Sequence, residues 1–204
     1  NRLVNVIINS EVTSIGYEAF KWCGALKEVT IGNGILCIAE STFIGCNSIE
    51  KMTLPFVGKS RTALKEEAVL GYIFGFTVVH TEKATIASAS FLNTESFDVN
   101  AVNCSRNQNI PTGLTAQYGY FYNSGEATSI SGKYWGNTTV YYYNIPQTLK
   151  EVIITDCENI SKGAFLNCSM IQKLALESAI MSIEDFAFCE CSNLQTLTIC
   201  STSV

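Results

Sequence analysis

The stretch Ile15-Gly16-Tyr17-Glu18-Ala19-Phe20-Lys21-Trp22-Cys23-Gly24-Ala25-Leu26-Lys27-Glu28-Val29-Thr30-Ile31 decides the fold, because its apolar skeleton recurs along the chain. Counting from Val12, the apolar positions are Val12, Ile15, Ala19, Phe20, Cys23, Leu26, Val29 and Ile31. Each is matched 23 residues later by Ile35, Ile38, Thr42, Phe43, Cys46, Ile49, Met52 and Leu54. The frame returns at Cys157, Ile160, Ala164, Phe165, Cys168, Ile171, Leu174 and Leu176. It returns once more at Ile180, Ile183, Ala187, Phe188, Cys191, Leu194, Leu197 and Ile199. Half-copies stand at Leu3, Val6 and Ile8, and at Leu149, Val152 and Ile154. A fixed period of this length marks a repeat architecture.

The two halves of each copy differ in period. Leu26 to Ile31 ends in an in-out alternation, as a short strand does, whereas the Ala19-Phe20 segment suits a short helical turn. One unit of this size cannot bury its own apolar side, so neighbouring units stack and add parallel strands to one sheet. The reading is a solenoid.

The pattern Ile-x3-Ala-Phe-x2-Cys-x2-Leu-x2-Val-x-Ile, in Ile15 to Ile31 and Ile183 to Ile199, resembles the BspA-like class of leucine-rich repeats. Two further pieces carry the likeness. They are Leu54-Pro55-Phe56-Val57-Gly58 followed by Gly71-Tyr72-Ile73-Phe74-Gly75, and Ile145 to Ile154, which are similar to an interruption of the solenoid in some bacterial members. The resemblance covers about residues 1–75 and 145–204. It implies an α/β repeat fold, a right-handed leucine-rich-repeat solenoid with a parallel sheet, interrupted by a β-rich insertion. The division expected is 1–58 repeats, 59–144 Tyr-rich insertion, 145–204 repeats.

Within 59–144 the composition shifts toward Thr, Ser, Asn and Tyr, and seven of the nine tyrosines lie in Tyr118 to Tyr143. Tyr118 to Tyr122 and Thr138 to Tyr143 read as strands, with Asn123-Ser124-Gly125 as a turn. A two-stranded unit alone is marginal in water, so a small sheet leaning on the solenoid is expected. Lys65 to Leu70 reads as the start of a short helix.

Composition narrows the function. With 13 Lys+Arg against 18 Asp+Glu the net charge is −5, which removes nucleic acid as a partner because phosphate binding needs clustered basic residues. No run approaches the roughly 18 apolar residues of a membrane span. The chain opens without Met in the middle of the repeat and reads as a piece of a longer protein. His80, the single histidine, excludes a His-rich metal centre. No nucleophile elbow, P-loop or dinucleotide fingerprint occurs, and adjacent acids such as Glu66-Glu67 and Glu184-Asp185 point apart. The expectation is therefore no catalytic residue, no cofactor and no metal. A hydrolase built around His80 is the enzymatic alternative.

The nine cysteines form an odd set. Cys23, Cys46, Cys168 and Cys191 share one repeat position and are expected to stack inside the coil as small apolar groups. They lack the close pairing and the histidines that zinc takes. Cys157 falls on the Val12 position, Cys189-Glu190-Cys191 is a weak redox motif, and Cys37, Cys104, Cys189 and Cys200 lie off the ladder. The sequons at Asn103, Asn137 and Asn167 matter only in a eukaryotic secretory protein.

Two surfaces remain. Alternation puts Asn5 and Ile7, Glu28 and Thr30, Lys51 and Thr53, Glu151 and Ile153, Lys173 and Ala175, and Thr196 and Thr198 on the outward side of the strands. This ribbon is either a binding face or simply a solvated one. Tyr120, Tyr122, Tyr134, Trp135 and Tyr142 form a second candidate, as an aromatic platform or as the core of the insertion. The family resemblance implies a secreted or cell-surface adhesive role. The expected partner is a protein or glycan, a host extracellular matrix protein among the candidates, and a structural spacer is the competing reading.

Overall fold

The computed structural model describes residues 2–86, 113–123, 128–130 and 133–200. Alternation at the end of each repeat makes a strand, and the strands stack. They are β1 (Asn5–Ile8), β3 (Glu28–Ile31), β5 (Lys51–Leu54), β10 (Glu151–Ile154), β12 (Lys173–Leu176) and β14 (Thr196–Ile199), in that spatial order in one six-stranded sheet. Every pairing is parallel, and repeat-equivalent residues lie side by side: Val6, Val29, Met52, Val152, Leu174 and Leu197 form one row. Short strands on another side of the coil pair likewise, β2 (Ser14–Ile15) with β4 (Cys37–Ile38) and β11 (Asn159–Ile160) with β13 (Ser182–Ile183).

The row facing inward is the core. Val29, Ile31, Met52, Leu54, Val152, Ile154, Leu174 and Leu176 are buried, each burial stabilising by roughly 1.5–3 kcal/mol. The aromatic position stacks as the repeat requires, with Phe20 on Phe43 at 5.2 Å and Phe165 on Phe188 at 5.7 Å between ring centroids. In β14 the inward residues Leu197 and Ile199 stay 40% and 46% exposed, because no described strand lies beyond them.

The α/β expectation needs correction. Among the described residues the helical segments are two 3-10 stretches, Lys65–Ala68 and Leu70–Phe74, and the Ala-Phe segment is a turn. Left-handed residues recur at Glu18 (φ 54°), Trp22 (φ 61°), Asn167 (φ 54°) and Phe186 (φ 57°), and these interrupt any run of helical backbone. The amides that a helix would satisfy internally are instead given to the next coil. Phe20 N–H donates to Thr42 O and Trp22 N–H to Ile44 O, both at 2.9 Å. Phe165 N–H donates to Ala187 O and Asn167 N–H to Cys189 O, both at 2.8 Å.

Leu70–Phe74 takes the same place in the third coil. Ser41 and Phe43 donate to Tyr72 O and Ile73 O, Leu70 N–H donates to Ala164 O, and Phe74 lies 6.4 Å from Phe43 between ring centroids. From there the chain enters a second sheet, antiparallel and four-stranded. It holds β6 (Phe76–Ile86), β7 (Leu114–Asn123), β8 (Thr128–Ile130) and β9 (Lys133–Pro146), with β9 paired to each of the others. The two strands read from the tyrosine-rich sequence fall in β7 and β9; Ser124 and Gly125 of the expected turn lie outside the described residues.

Two residues fix this sheet to the coil. Tyr143 is buried against Gly71, where a side chain would meet the tyrosine Cβ at 2.1 Å. Gln117, fully buried, accepts from Gly71 N–H at 2.5 Å and donates to Ala164 O at 2.9 Å.

Candidate functional site

The outward rows of the six-stranded sheet follow from the same alternation that builds the core, and the parallel register aligns them. Asn5, Glu28, Lys51, Glu151, Lys173 and Thr196 stand in one row. Ile7, Thr30, Thr53, Ile153, Ala175 and Thr198 stand in the other. All twelve are exposed or half-buried, and Ile7 reaches 81% exposure. The structure thus brings together the whole ribbon expected from sequence.

Its charges alternate in sign from strand to strand. Lys51 Nζ lies 2.6 Å from Glu151 Oε1, and at the strand entrances Lys27 Nζ lies 2.8 Å from Glu50 Oε1. The hydrogen bond to Glu151 holds Lys51 above its ordinary value, with Glu28 and Glu177 adding to it. Lys27 is raised in the same way by Glu50. Such exposed pairs are screened by solvent and add little to stability, so their importance is in setting the pattern of the face.

Beside the strands an arginine missed in the sequence reading fastens three coils together. Arg61 Nε donates to Asp156 Oδ2 at 3.0 Å, and Nη2 bonds the same oxygen. Nη1 donates to Ile35 O at 2.7 Å and Nη2 to Asn33 O at 2.6 Å, while the guanidinium lies 5.2 Å from the Phe56 ring centroid. A lone arginine in a polar loop carries no sequence signal for such a role.

The aromatic candidates share one sheet. Tyr120 and Tyr122 lie on β7, and Tyr134, Trp135 and Tyr142 on β9. Tyr142 pairs in register with Thr77 and Tyr118, Tyr122 with Thr139, Trp135 with Thr85 and Thr128, and Tyr134 with Ile86 and Ser129. Tyr120 falls in the register shift between Tyr118 and Phe121. The backbone brings the five onto neighbouring strands, and their side chains lie outside the described part of the structure. His80 stands on β6 opposite Thr139.

The cysteine ladder is packing. Cys23, Cys46 and Cys168 are buried and Cys191 is half-buried. Cys46 Sγ–H donates to Phe20 O at 3.0 Å and Cys191 Sγ–H to Phe165 O at 3.1 Å, each reaching one coil back. Burial pushes both thiols up to about 11. Cys157 is also buried and donates to Asn159 O at 3.0 Å. Among the described residues no group of three or more Cys, His, Asp or Glu is arranged to hold a metal. Nor is any helix there long and apolar enough to cross a membrane.

A family model described as the BspA type leucine rich repeat region matches in six copies, over residues 1–100 and 117–204. No curated protein and no solved structure shows significant similarity to the chain.

Proposed function

The chain belongs to the BspA-type leucine-rich repeat family, and from that premise we propose that it is a recognition module whose strand face contacts a protein partner. Repeats of this family usually serve as protein-interaction or surface-related modules and generally as non-enzymatic scaffolds. The finer reading is adhesion by a cell-surface or secreted protein. The observation that carries it is the ribbon itself: six strands in register hold two outward rows of exposed or half-buried side chains above an apolar core. An extended ordered array of that kind is how solenoids meet partners. The division into repeats 1–58, a Tyr-rich excursion 59–144 and repeats 145–204 belongs to the same proposal, with Leu70–Phe74 supplying the turn of the third coil.

The test is capture of proteins and glycans from arrays, host matrix proteins included, by the purified chain and by the triple variant T30K/T53K/I153K. Capture of a protein by the parent, lost in the variant with an unchanged Tm, supports the face. Silence of the parent on both arrays favours a spacer, and capture of glycans alone replaces the protein partner by a sugar. A variant that fails to fold shows the face to be packed and sinks the reading.

A further inference from the structure

The charged row of the strand face reads Asn5, Glu28, Lys51, Glu151, Lys173, Thr196 across the six strands. In charge this is neutral, minus, plus, minus, plus, neutral. Reversing the order inverts every sign while keeping the neutral ends neutral. A row with that property is complementary to itself turned around, and from it we infer that the strand face binds a second copy of this chain, coil order reversed. This inference rests on the reading of the face as a binding surface and names its partner.

The symmetry operation is a two-fold axis along the strand direction, lying in the interface between β5 and β10. It turns the face over and reverses the order of the coils but keeps the position along the strands, so each outward row meets its own counterpart. Glu28 then faces Lys173 of the second copy and Lys51 faces Glu151. At the centre the Lys51–Glu151 pair, 2.6 Å apart within one chain, becomes half of a four-membered square of alternating charge. Neither Glu28 nor Lys173 closes an ion pair within the chain among the described residues, so the outer contacts are new ones. In the other row Thr30 meets Ala175 and Thr53 meets Ile153, small or β-branched side chains that allow close approach. At the strand entrances the operation brings Glu50 against Lys150.

Register and orientation follow from the same charges. A slip of one coil sets Glu28 against Glu151 in one direction, or Lys51 against Lys173 in the other, and like charges in contact are costly. A two-fold along the solenoid axis lays the charged row on the uncharged one and buries Glu28 and Lys173 without a partner. Only the reversed, unslipped arrangement satisfies every charge.

The interface is small. Six strands at about 4.8 Å by four residues at about 3.3 Å give a face of roughly 29 by 13 Å, about 380 Å² per protomer. A standard stable interface contributes about 800 Å² from each side, so the dimer is a weak one, with Kd between roughly 10 µM and 1 mM. It weakens with salt, because the charges at its edges are exposed to screening.

Sedimentation equilibrium across that concentration range tests this with charge swaps. The parent self-associates as a monomer-dimer system, more weakly at high salt. E28K and K173E alone each set like charges against each other at two symmetry-related places and weaken the dimer by about tenfold or more. An equimolar mixture of E28K and K173E regains association, because each protomer then offers the other two opposite-sign contacts, and the E28K/K173E double variant regains it as a homodimer. Unchanged Tm in all variants excludes a folding cause. A monomeric parent that still captures another protein overturns the self-recognition and leaves the face a binding surface. A monomeric parent that captures nothing overturns both. A dimer indifferent to E28K and K173E, or weakened by them without rescue in the mixture, places the contact elsewhere and overturns the inference.

Discussion

Gln117 offers a direct test of how the antiparallel sheet is joined to the coil. Its amide is fully buried and accepts from Gly71 N–H at 2.5 Å while donating to Ala164 O at 2.9 Å and Gly163 O at 3.4 Å. The two carbonyls have other donors, Leu70 N–H and Leu166 N–H, each at 2.9 Å. The loss on substitution therefore falls on the Gly71 amide. Gln117→Leu fills the space and orphans that donor, costing about 1–3 kcal/mol. Gln117→Ala adds a cavity and costs about 2–5 kcal/mol in all. Gln117→Glu separates the polar contact from the volume. The protonated acid reproduces both bonds, whereas the carboxylate loses the donation and faces Ala164 O from a buried position. Burial raises the folded-state value of that acid above the unfolded value of about 4.3. The variant is then nearest the parent below about pH 4.3 and loses up to about 1.4 kcal/mol for each pH unit above it until the folded-state value is passed. Urea midpoints of the three variants and the parent at several pH values measure this. A Leu variant within about 0.5 kcal/mol of the parent, together with a Glu variant whose deficit ignores pH, refutes the docking described for the two sheets.

Two further outcomes follow from the core. Cys46, Cys168 and Cys191, raised by burial, stay silent toward an aromatic disulfide reagent in the native protein and react on denaturation, while exposed Cys200 reacts at once; native reactivity of the ladder thiols contradicts their placement. Phe43→Ala, at a fully buried ring between Phe20 and Phe74, costs about 3–5 kcal/mol in chemical denaturation, against less than about 1 kcal/mol for Phe186→Ala at a ring 42% exposed.

What could be read in advance was whatever the repeat forces. Ile15, Leu26, Val29 and Ile31 recur in phase, and a residue that must be buried in every coil leaves a mark in every copy. The register of the outward ribbon came with them, because a strand that buries every second residue must expose the others. The turn was harder. An adjacent Ala-Phe pair is compatible with a helix or a tight turn, and what decides between them is the left-handed backbone at Glu18 and Trp22, whose side chains give no hint of it. The third coil hid its turn for another reason: Gly71-Tyr72-Ile73-Phe74 keeps the aromatic ring but no alanine before it, and its continuation lies beyond residue 140. Gln117 and Arg61 were invisible because each acts through backbone carbonyls of coils far away in sequence. A polar side chain that satisfies distant main chain follows no period.

The stacking of β10 on β5 is kept although the strands of the antiparallel sheet lie between them in sequence. The chain leaves the coil after Phe74 and returns at Ile145, both buried. Between those points Asn144 N–H donates to Gly75 O at 3.0 Å, and Phe76 pairs with Tyr143 in the first register position of β6 and β9. The points of exit and return are therefore joined, and the coil experiences a paired stem rather than an open loop whose closure would cost entropy with length. Gly75 can make this exit because its φ of 83° lies in the left-handed region open to glycine. With the stem closed, Ile145 and Leu149 take up the apolar positions of the coil, and β10 pairs with β5 in the register that β3 uses on the other side. Lys51 therefore meets Glu151 although a hundred residues separate them, and the alternation of charge runs across the join unbroken. The outer parts of the antiparallel sheet can accordingly change in sequence without disturbing the strand face, provided that Gln117, Tyr143 and Gly71 keep its base in place.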